Sequence, residues 1–315
     1  MEYETRMETE REENGDLSFM PEGVIANLLS FTTPIDACSL SAVSRIFNAA
    51  AQSDFVWDRF LPTDCDVLIA QRKSVDPISS SKKEIFFSLC NNPVLIDDGN
   101  KSLSLEKWSG KKCIMLGARD LSIIWGDTSL YWSWDHHPRS RFAEVAILLN
   151  VCWLEIRGRI SCRILSPKTT YAVYFVFRMR NCNYEGFNVH PADATVRIIG
   201  TDNHGRRSVC LDPHLDNPRR WQRRQHAPWS MRPPPGPSLD ILGLEWPQER
   251  RDGWFEIELG EFENGDGDDE VEIALMEVKS HSAKTGLVVE GIEIRPKHCW
   301  TLLKPWCCKL APRFK

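Results

Sequence analysis

The spacing of apolar residues divides the chain into a helical front and a longer, strand-rich remainder. Within residues 17–62 the apolar positions recur three and four residues apart, as on one face of a helix, at Val24, Ile25, Leu28 and Leu29. Pro21 suits the first position of a helix. Thr33 and Ser53 stand as capping residues before later apolar runs. The pattern therefore predicts several short helices in this segment.

Short segments of β-branched and aromatic residues, separated by Gly, Pro, Asn and Asp, follow from residue 111 onward. CWLEIRGRI (152–160) has apolar residues at 152, 154, 156 and 160 and charged ones at 155, 157 and 159. WFEIELG (254–260) alternates in the same way. Strands of this kind have one buried face and build antiparallel sheets. The sequence thus predicts a jelly-roll-like β-sandwich without helical crossovers.

Three segments depart from simple alternation. YAVYFVFRM (171–179) is apolar on both faces, which predicts a central strand. RFAEVAILLN (141–150) is predicted to form one or two helical turns. KKEIFFSLCNN (82–92) is predicted as a helix between the two parts of the chain.

These patterns indicate an α+β multidomain fold class. We predict, in order, a disordered acidic tail (1–16), a module of short helices (17–62), a bridging segment (63–107), a strand-rich domain (108–296) and a C-terminal tail (297–315). The strand-rich domain contains a basic, Pro-rich insert (217–237) with Trp221 and Trp229. Interleaved arginine and tryptophan suit single-stranded RNA, but a surface loop has the same composition.

Composition argues against several classes of protein. The formal net charge of −5 gives no general preference for nucleic acid or anionic membrane. Residues 1–22 carry eight acids against Arg6 and Arg11, so we expect no secretory signal, and no apolar run is long enough to span a membrane. The 11 cysteines include no CxxC pair, so we expect reduced thiols. HCWTLLKPWCC (298–308) lacks zinc-finger spacing, and neither a metal nor another cofactor is predicted.

The helical front resembles the F-box family. The matching residues are Met20-Pro21-Glu22, Leu28-Leu29-Ser30-Phe31, Val43-Ser44-Arg45 and the closing Asp54–Trp57. Met20 and Thr32 depart from the leucine that is usual in the family pattern. F-box helices dock on a Skp-type linker protein of a cullin–RING ubiquitin ligase. The resemblance implies docking through Met20, Pro21, Leu28, Leu29, Val43 and Trp57; the alternative is a helical subdomain that packs on the rest of the chain.

DLSIIWGDTSLYWSW (120–134) concentrates three tryptophans in fifteen residues. Alternation places Trp125 on one face with Leu121 and Ile123, and Trp132 on one face with Trp134. A turn between them is predicted to reverse the chain as a hairpin. Spacing alone leaves open which of these rings belongs to the core and which is exposed.

The strand-rich domain resembles the plant Nictaba-type lectins, which have the phloem protein 2-like domain. The matching segments are ARDLSIIWGDTSLYWSW, RFAEVAILLNVCWLEIRGRI, TTYAVYFVFRM, DGWFEIELGEF, DDEVEIALMEV and TGLVVEGIEIRP, which cover most of 112–296 outside the insert. The resemblance implies a lectin for N-acetylglucosamine oligomers and N-glycan cores. The site it implies consists of Trp125, Trp132, Glu270 and Glu277, and Trp134 is then structural.

These residue types suit a sugar, because its C–H face packs on an aromatic ring and its hydroxyl groups donate to carboxylates. Glu270 and Glu277 are seven residues apart, so a regular strand points them to opposite faces. Either a bulge or a strand end intervenes, or only one of the two contacts sugar.

The two resemblances together imply a non-catalytic substrate-recognition subunit of an SCF ubiquitin ligase that captures glycoproteins in the cytoplasm or the nucleus. One alternative is a glycoside hydrolase with a carboxylate pair from among Glu256, Glu258, Glu270, Glu272 and Glu277, although the exposed faces of strands are commonly acidic. A second alternative is an F-box adaptor whose sandwich binds protein or RNA through a site that no longer recognises sugar.

Overall fold

A computed structural model of the chain describes residues 20–70, 81–180, 184–188, 190–201, 205–213, 244–266 and 268–297. The acidic tail, the basic insert and nearly all of the C-terminal tail lie outside these ranges, as do the predictions made for them. The chain divides into two compact units. The first comprises 1–65, 75–90 and 107–110, and the second comprises 66–74, 91–106 and 111–315. The predicted bridging segment is therefore shared between them.

Six helices precede the first strand: α1 (Glu22–Ser30), α2 (Pro34–Leu40), α3 (Arg45–Gln52), α4 (Asp54–Phe60), α5 (Cys65–Ala70) and α6 (Lys82–Asn91). The helix starts at Thr33 and Ser53 and the helix at 82–92 are confirmed. Thr33 caps α2 through a reciprocal pair of bonds with Asp36, which satisfies free N–H groups at the helix start. Within the part of the chain that is described, no helix is long and apolar enough to cross a membrane.

Fourteen strands make up two antiparallel sheets among the described residues. The larger sheet contains β1 (Val94–Ile96), β2 (Lys101–Leu105), β3 (Lys112–Gly117), β5 (Trp132–Asp135), β6 (Val145–Leu148), β8 (Thr169–Met179), β11 (Gln248–Glu249), β12 (Phe255–Asn264) and β14 (Leu287–Pro296). The smaller sheet contains β4 (Ser122–Ile123), β7 (Leu154–Ser161), β9 (Ala192–Ile198), β10 (Gly205–Val209) and β13 (Glu270–Glu277). The α+β class, with helices in front of an antiparallel β-sandwich, is confirmed.

The order of strands explains the apolar patterns. The larger sheet runs β1-β2-β3-β14-β8-β12-β11, and the smaller runs β10-β9-β13-β7-β4. The segment 171–179 belongs to β8, which lies between β14 and β12 and is central, as predicted. In β7, Leu154, Ile156 and Ile160 are buried in the main core, so the predicted alternation is confirmed there. Cys152, which precedes the strand, is exposed rather than buried.

The predicted helical turn at 141–150 is wrong. The segment contains β6, which pairs with β5 and β14. Ala146 and Leu148 face the main core, whereas Val145 faces a smaller apolar cluster with Phe142 and Trp254 on the other side of the larger sheet. Because both faces are covered, the strand is apolar throughout, and periodicity cannot distinguish such a strand from a buried helix.

The predicted hairpin at 120–134 is also wrong. β4 belongs to the smaller sheet and β5 to the larger one, so the turns between them carry the chain from one sheet to the other. Trp125 has a φ of 54°, a left-handed conformation that interrupts the alternation of the preceding strand. Trp125 therefore does not share the buried face of Leu121.

Candidate functional site

The four residues implied as a sugar site do not form one surface. Trp125 is 45% exposed and Glu270 is exposed, whereas Trp132 is 1% exposed and Glu277 is 4% exposed. The positions of these residues on their strands explain the difference.

Trp125 lies two residues after the edge strand β4 of the smaller sheet. The N–H of the preceding residue, Ile124, donates to the carbonyl of Glu155 over a distance of 3.0 Å. This bond continues the pairing of β4 with β7. The Trp125 ring packs on Tyr131 with ring centroids 5.3 Å apart and an interplanar angle of 41°. A non-glycine residue in the left-handed region costs about 1–3 kcal/mol, and such strain is common at ligand sites. The conformation places a large ring half in solvent.

Trp132 is a core residue. It lies in β5 opposite Leu148, and its indole N–H donates to the carbonyl of Ile124. Since the side chain is closed to solvent, the implied contact between Trp132 and a sugar is not supported by this structure. Trp134, two residues on, is partly buried, donates to the carbonyl of Gly126 and lies under the Arg119 guanidinium at 3.7 Å. Trp134 thus packs as a structural residue, as the resemblance implies.

Glu277 ends β13 on the buried face of the smaller sheet. One carboxylate oxygen accepts from the backbone N–H groups of Lys279 and Ser280. The other forms an ion pair with Lys284, without the alignment of a hydrogen bond. Lys284 is fully buried, and its ammonium group also donates to the carbonyls of Cys152 and Ser282. Glu277 therefore has no accessible oxygen for a sugar, and its role is to hold two loops together.

Glu270 begins the same strand at the opposite end. It pairs with Ser161 of β7, whereas Glu277 pairs with Leu154, beside the end of β4. The pairing of β13 with β7 runs without a bulge, so the two glutamates point to opposite faces. Seven residues of strand separate them by roughly 23 Å. Glu270 is therefore too remote from Trp125 to contact the same monosaccharide.

Trp153 is the site residue that sequence reasoning missed. It is 46% exposed and precedes β7 at the end of the strand where Trp125 lies. Its indole N–H donates to one carboxylate oxygen of Glu155 at 2.9 Å, and Arg157 donates to the other oxygen at 2.7 Å. These donors lower the pKa of Glu155, first through Trp153 and then through Arg157. Alternation along 152–160 was the available signal, because Trp153 shares the odd, outward positions of Glu155 and Arg157.

We call Trp125, Trp153 and Glu155 the aromatic edge. It combines two half-exposed indole rings with a carboxylate whose position is fixed by two donors. Glu155 lies in β7, Trp153 immediately precedes β7, and Trp125 follows the last residue of β4 by two positions. The antiparallel pairing of β4 with β7 brings these three residues to one end of the smaller sheet. Such an arrangement suits the flat, C–H-rich face of a sugar with hydroxyl donors at its rim.

The carboxylates considered for hydrolysis are placed on different sheets. Glu256 and Glu258 lie on β12, whereas Glu270, Glu272 and Glu277 lie on β13. Glu272 accepts from Arg197 and Arg159 on the outer face of the smaller sheet, and Arg197 contributes most to the lowering of its pKa. A general acid requires a raised pKa, whereas the pKa of Glu272 is lowered, so Glu272 is not suited to that role.

The first unit separates the implied docking residues into two groups. Leu28 is 50% exposed and Val43 is 67% exposed, and Pro21 is also exposed. Met20 is partly exposed. Leu29 and Trp57, by contrast, are core residues, and the implied surface role of these two is corrected by their burial.

Trp57 shows why its side chain is buried. Its indole N–H donates to the carbonyl of Ala51 in 2.7 Å, and its ring lies 5.3 Å from the ring of Phe86. Helix α6 thus covers the Trp57 ring, which would otherwise face solvent. The N–H of Lys82, at the start of α6, donates to Asp54 at the start of α4.

Three further apolar side chains of the first unit are exposed, although they are not among the docking residues that the resemblance implies: Val24, Phe31 and Phe55. Val24 and Leu28 lie in α1 and Phe31 is its C-cap residue, so their four- and three-residue spacing places all three on one face. We call this set the α1 stripe. Contiguous exposed apolar surface of this kind is characteristic of an interaction site.

The chain thus combines a helical unit that has an exposed apolar stripe with an antiparallel β-sandwich that has an aromatic edge, which defines a protein with two candidate interaction surfaces. The Phloem protein 2 family profile matches residues 111–296. The chain belongs to the phloem protein 2 family.

Curated relatives from Arabidopsis thaliana extend the similarity over most of the chain. F-box protein PP2-B10 is 43% identical over 289 residues, which cover 91% of this chain and 96% of the relative. F-box protein At2g02240 is 42% identical over 277 residues, 88% of this chain and 79% of the relative. F-box protein SKIP3 is 42% identical over 284 residues, 89% of this chain and 88% of the relative. The chain is therefore similar to F-box proteins with a phloem protein 2 domain.

Proposed function

We propose that the protein is a non-catalytic substrate-recognition subunit of an SCF-type ubiquitin ligase. In this proposal the first unit docks on a Skp-type linker protein, and the sandwich binds N-acetylglucosamine-containing glycans on client glycoproteins. Ubiquitin transfer itself belongs to the cullin–RING partners. The similarity to proteins named F-box supports the first half, and the aromatic edge supports the second.

The α1 stripe carries the docking half of the proposal. Val24, Leu28 and Phe31 are 46%, 50% and 70% exposed, and Val43 and Phe55 add further apolar surface to the same unit. Full burial of one large apolar side chain contributes roughly 1.5–3 kcal/mol to association. Several such side chains suffice for a stable complex once the cost of association has been met.

The half-exposed ring of Trp125 is the observation that carries the glycan half. Tyr131 supports this ring from one side, and the left-handed backbone turns it outward. Trp153 presents a second ring whose indole N–H is already satisfied by Glu155, so the ring can pack without leaving a polar group unpaired. Shallow sites of this design bind single sugars weakly and gain strength from multivalent glycans.

Glu277 supports this site without touching the ligand. Its ion pair fixes the Lys284 ammonium group, which donates to the carbonyl of Cys152 in 2.7 Å. Cys152 immediately precedes Trp153, so the buried pair restrains the backbone that presents the exposed ring. We therefore assign Glu277 a positioning role.

An F-box adaptor that binds protein instead of sugar is the second candidate. It is favoured by the burial of Trp132 and Glu277, because two of the four residues implied for sugar contact are closed to a ligand. The basic insert that prompted an RNA-binding alternative lies outside the described residues.

A glycan array probed with the full chain distinguishes these candidates. We expect binding to N-acetylglucosamine oligomers and N-glycan cores by the wild type and loss of binding on Trp125→Ala. Trp132→Phe is the matched control, because it keeps an aromatic ring in the core while leaving the exposed ring unchanged. A folded wild type that ignores every glycan would leave the protein-binding adaptor.

A further inference from the structure

A group of cationic and titratable side chains surrounds Trp254 on the outer side of the larger sheet, away from the aromatic edge. The Trp254 ring is fully buried in the smaller apolar cluster, and its indole N–H donates to the carbonyl of Arg139 in 3.1 Å. The His137 ring lies 5.0 Å from the Trp254 ring, and the Arg178 guanidinium lies 5.7 Å from it. His137 and Arg139 come from the loop between β5 and β6, and Arg178 comes from β8.

The two guanidinium groups converge beside Gly253. A Cβ atom at this glycine would lie 2.3 Å from a terminal nitrogen of Arg139 and 3.9 Å from a terminal nitrogen of Arg178. Both nitrogens are thus close to one point next to a residue without a side chain. Gly253 has a φ of +81°, which disfavours any other residue. The absence of a side chain at Gly253 therefore leaves room for the Arg139 guanidinium, which lies near that of Arg178.

The described residues supply no carboxylate to balance these charges. In that part of the chain, neither Arg139 nor Arg178 has an acidic oxygen within 4.0 Å. The nearby acids make their hydrogen bonds to other residues: Asp252 accepts from the backbone N–H of Trp254 and from Arg250, and one oxygen of Glu290 accepts from Ser140 and Arg141. Burial, followed by the charges of Arg178, Arg139 and His136, lowers the pKa of His137. The surroundings of His137 are accordingly positive.

One hydrogen bond determines which ring nitrogen of His137 carries the proton. The N–H of Arg139 lies 3.2 Å from Nδ1 of His137 and donates to it. In a neutral imidazole the proton is then on Nε2. Guanidinium groups bind planar or tetrahedral oxyanions through parallel N–H bonds, which a lysine ammonium cannot reproduce.

We propose that Arg139, Arg178 and His137 form a binding site for a tetrahedral dianion of the phosphate class. Two guanidinium charges balance the dianion, and the Nε2–H group of His137 adds a neutral donor. Arg139 is exposed, so the anion enters from solvent. Free inorganic phosphate and a phosphate monoester on a client peptide present the same chemistry to this site.

Calorimetric titration of the full chain with inorganic phosphate tests the proposal, with chloride used to hold the ionic strength constant. We expect Arg139→Gln and Arg178→Gln each to weaken binding by roughly ten-fold or more. Arg178→Lys keeps the charge and should lose most of the affinity, because it removes the bidentate group. Arg163→Gln is the matched control, since it removes an exposed arginine that already pairs with Asp268. Unchanged phosphate affinity in both Gln variants would overturn the proposal.

Melting curves separate binding from a merely structural role of the two arginines. In low-salt buffer without phosphate, Arg139→Gln should melt at or above the wild-type temperature, because it relieves repulsion. Added phosphate should raise the melting temperature of the wild type and of Arg163→Gln but not that of Arg139→Gln. A wild type that phosphate does not stabilise, together with an Arg139→Gln variant that melts lower, contradicts the proposal.

A phosphoserine peptide and its unphosphorylated form identify the source of the anion. Tighter binding of the phosphopeptide than of inorganic phosphate indicates a group presented by a client, and equal binding indicates free phosphate. In both cases the Arg178→Gln variant should lose affinity for the phosphate group to the same extent. Equal binding of the unphosphorylated peptide, with no response to the arginine variants, counts against the site.

Discussion

The carboxylate of Glu277 and the ammonium group of Lys284 form an ion pair inside the sandwich, where Lys284 has no solvent exposure. The backbones of Lys284 and Val151 also exchange two hydrogen bonds, of 2.7 and 3.1 Å. This arrangement joins the segment after β13 to the segment before β7. A glutamate implied as a ligand contact is thus a structural support of the aromatic edge.

Removal of one charge of this ion pair should destabilise the protein more than removal of both charges. Glu277→Gln leaves the Lys284 ammonium group buried without its counter-charge, which costs about 3–5 kcal/mol. The double variant Glu277→Gln with Lys284→Met removes both charges, so its free energy of unfolding should fall by less than the sum of the two single changes. Urea denaturation of the four proteins measures this coupling. Strict additivity would show that the two groups do not interact.

Adjacent leucines of α1 provide a matched test of docking. Leu28 is 50% exposed and Leu29 is 1% exposed, although they are neighbours in sequence. Leu28→Asp should leave the helical content of the chain intact and abolish co-purification with a Skp-type linker protein. Leu29→Asp should unfold the first unit, because it places an unpaired charge in the core. Circular dichroism is measured beside co-purification, and retention of the linker by a folded Leu28→Asp variant would contradict the docking proposal.

The tryptophans around β4 and β5 should separate binding from stability. Trp132→Ala removes a buried ring and should cost roughly 3–5 kcal/mol of stability. Trp125→Ala and Trp153→Ala remove half-exposed rings, so they should change the melting temperature far less while weakening binding to an N-acetylglucosamine trimer. Thermal melting and trimer titration of the three variants test this. If both Trp125→Ala and Trp153→Ala bind the trimer with wild-type affinity, the aromatic edge is not the glycan site.

Glu290 should give the protein a distinct dependence on pH. Glu290 is buried, and this burial raises the pKa of its carboxyl group more than the nearby Arg141 lowers it. A carboxyl group with a raised folded-state pKa binds its proton more tightly in the folded state. Its contribution to stability therefore improves as the pH falls through the raised pKa toward the ordinary glutamate value of about 4.3.

Glu290→Gln removes this titration and keeps an oxygen that can accept from Ser140 and Arg141. The stability of Glu290→Gln relative to the wild type should be most favourable near pH 7 and should decline as the pH is lowered. Urea midpoints at several pH values measure the difference. A difference that is constant with pH would mean that Glu290 titrates alike in both states.

Local pattern predicted much of the fold. Alternation at 154–160 places Leu154, Ile156 and Ile160 in the core, because side chains of a strand point to opposite faces in turn. Capping residues mark helix starts because they also act locally: the Thr33 hydroxyl accepts from the backbone N–H of Asp36, only three residues away. The separation of Glu270 and Glu277 onto opposite faces is likewise a property of strand geometry, because it follows from their odd spacing along one regular strand.

The sequence by itself therefore determined the helical front, the antiparallel sandwich and the alternation within strands such as β7, because these depend on interactions between near neighbours. Tertiary structure alone decided which tryptophan is exposed. Trp132 is closed by Leu148 and the main core, while Trp125 turns outward at the end of an edge strand. Tertiary structure also decided that 141–150 contains a strand. Separate apolar clusters cover both faces of this segment, so its apolar residues show no period that distinguishes a strand from a helix. Burial of a side chain is set by segments distant in sequence, and spacing along one segment does not contain that information.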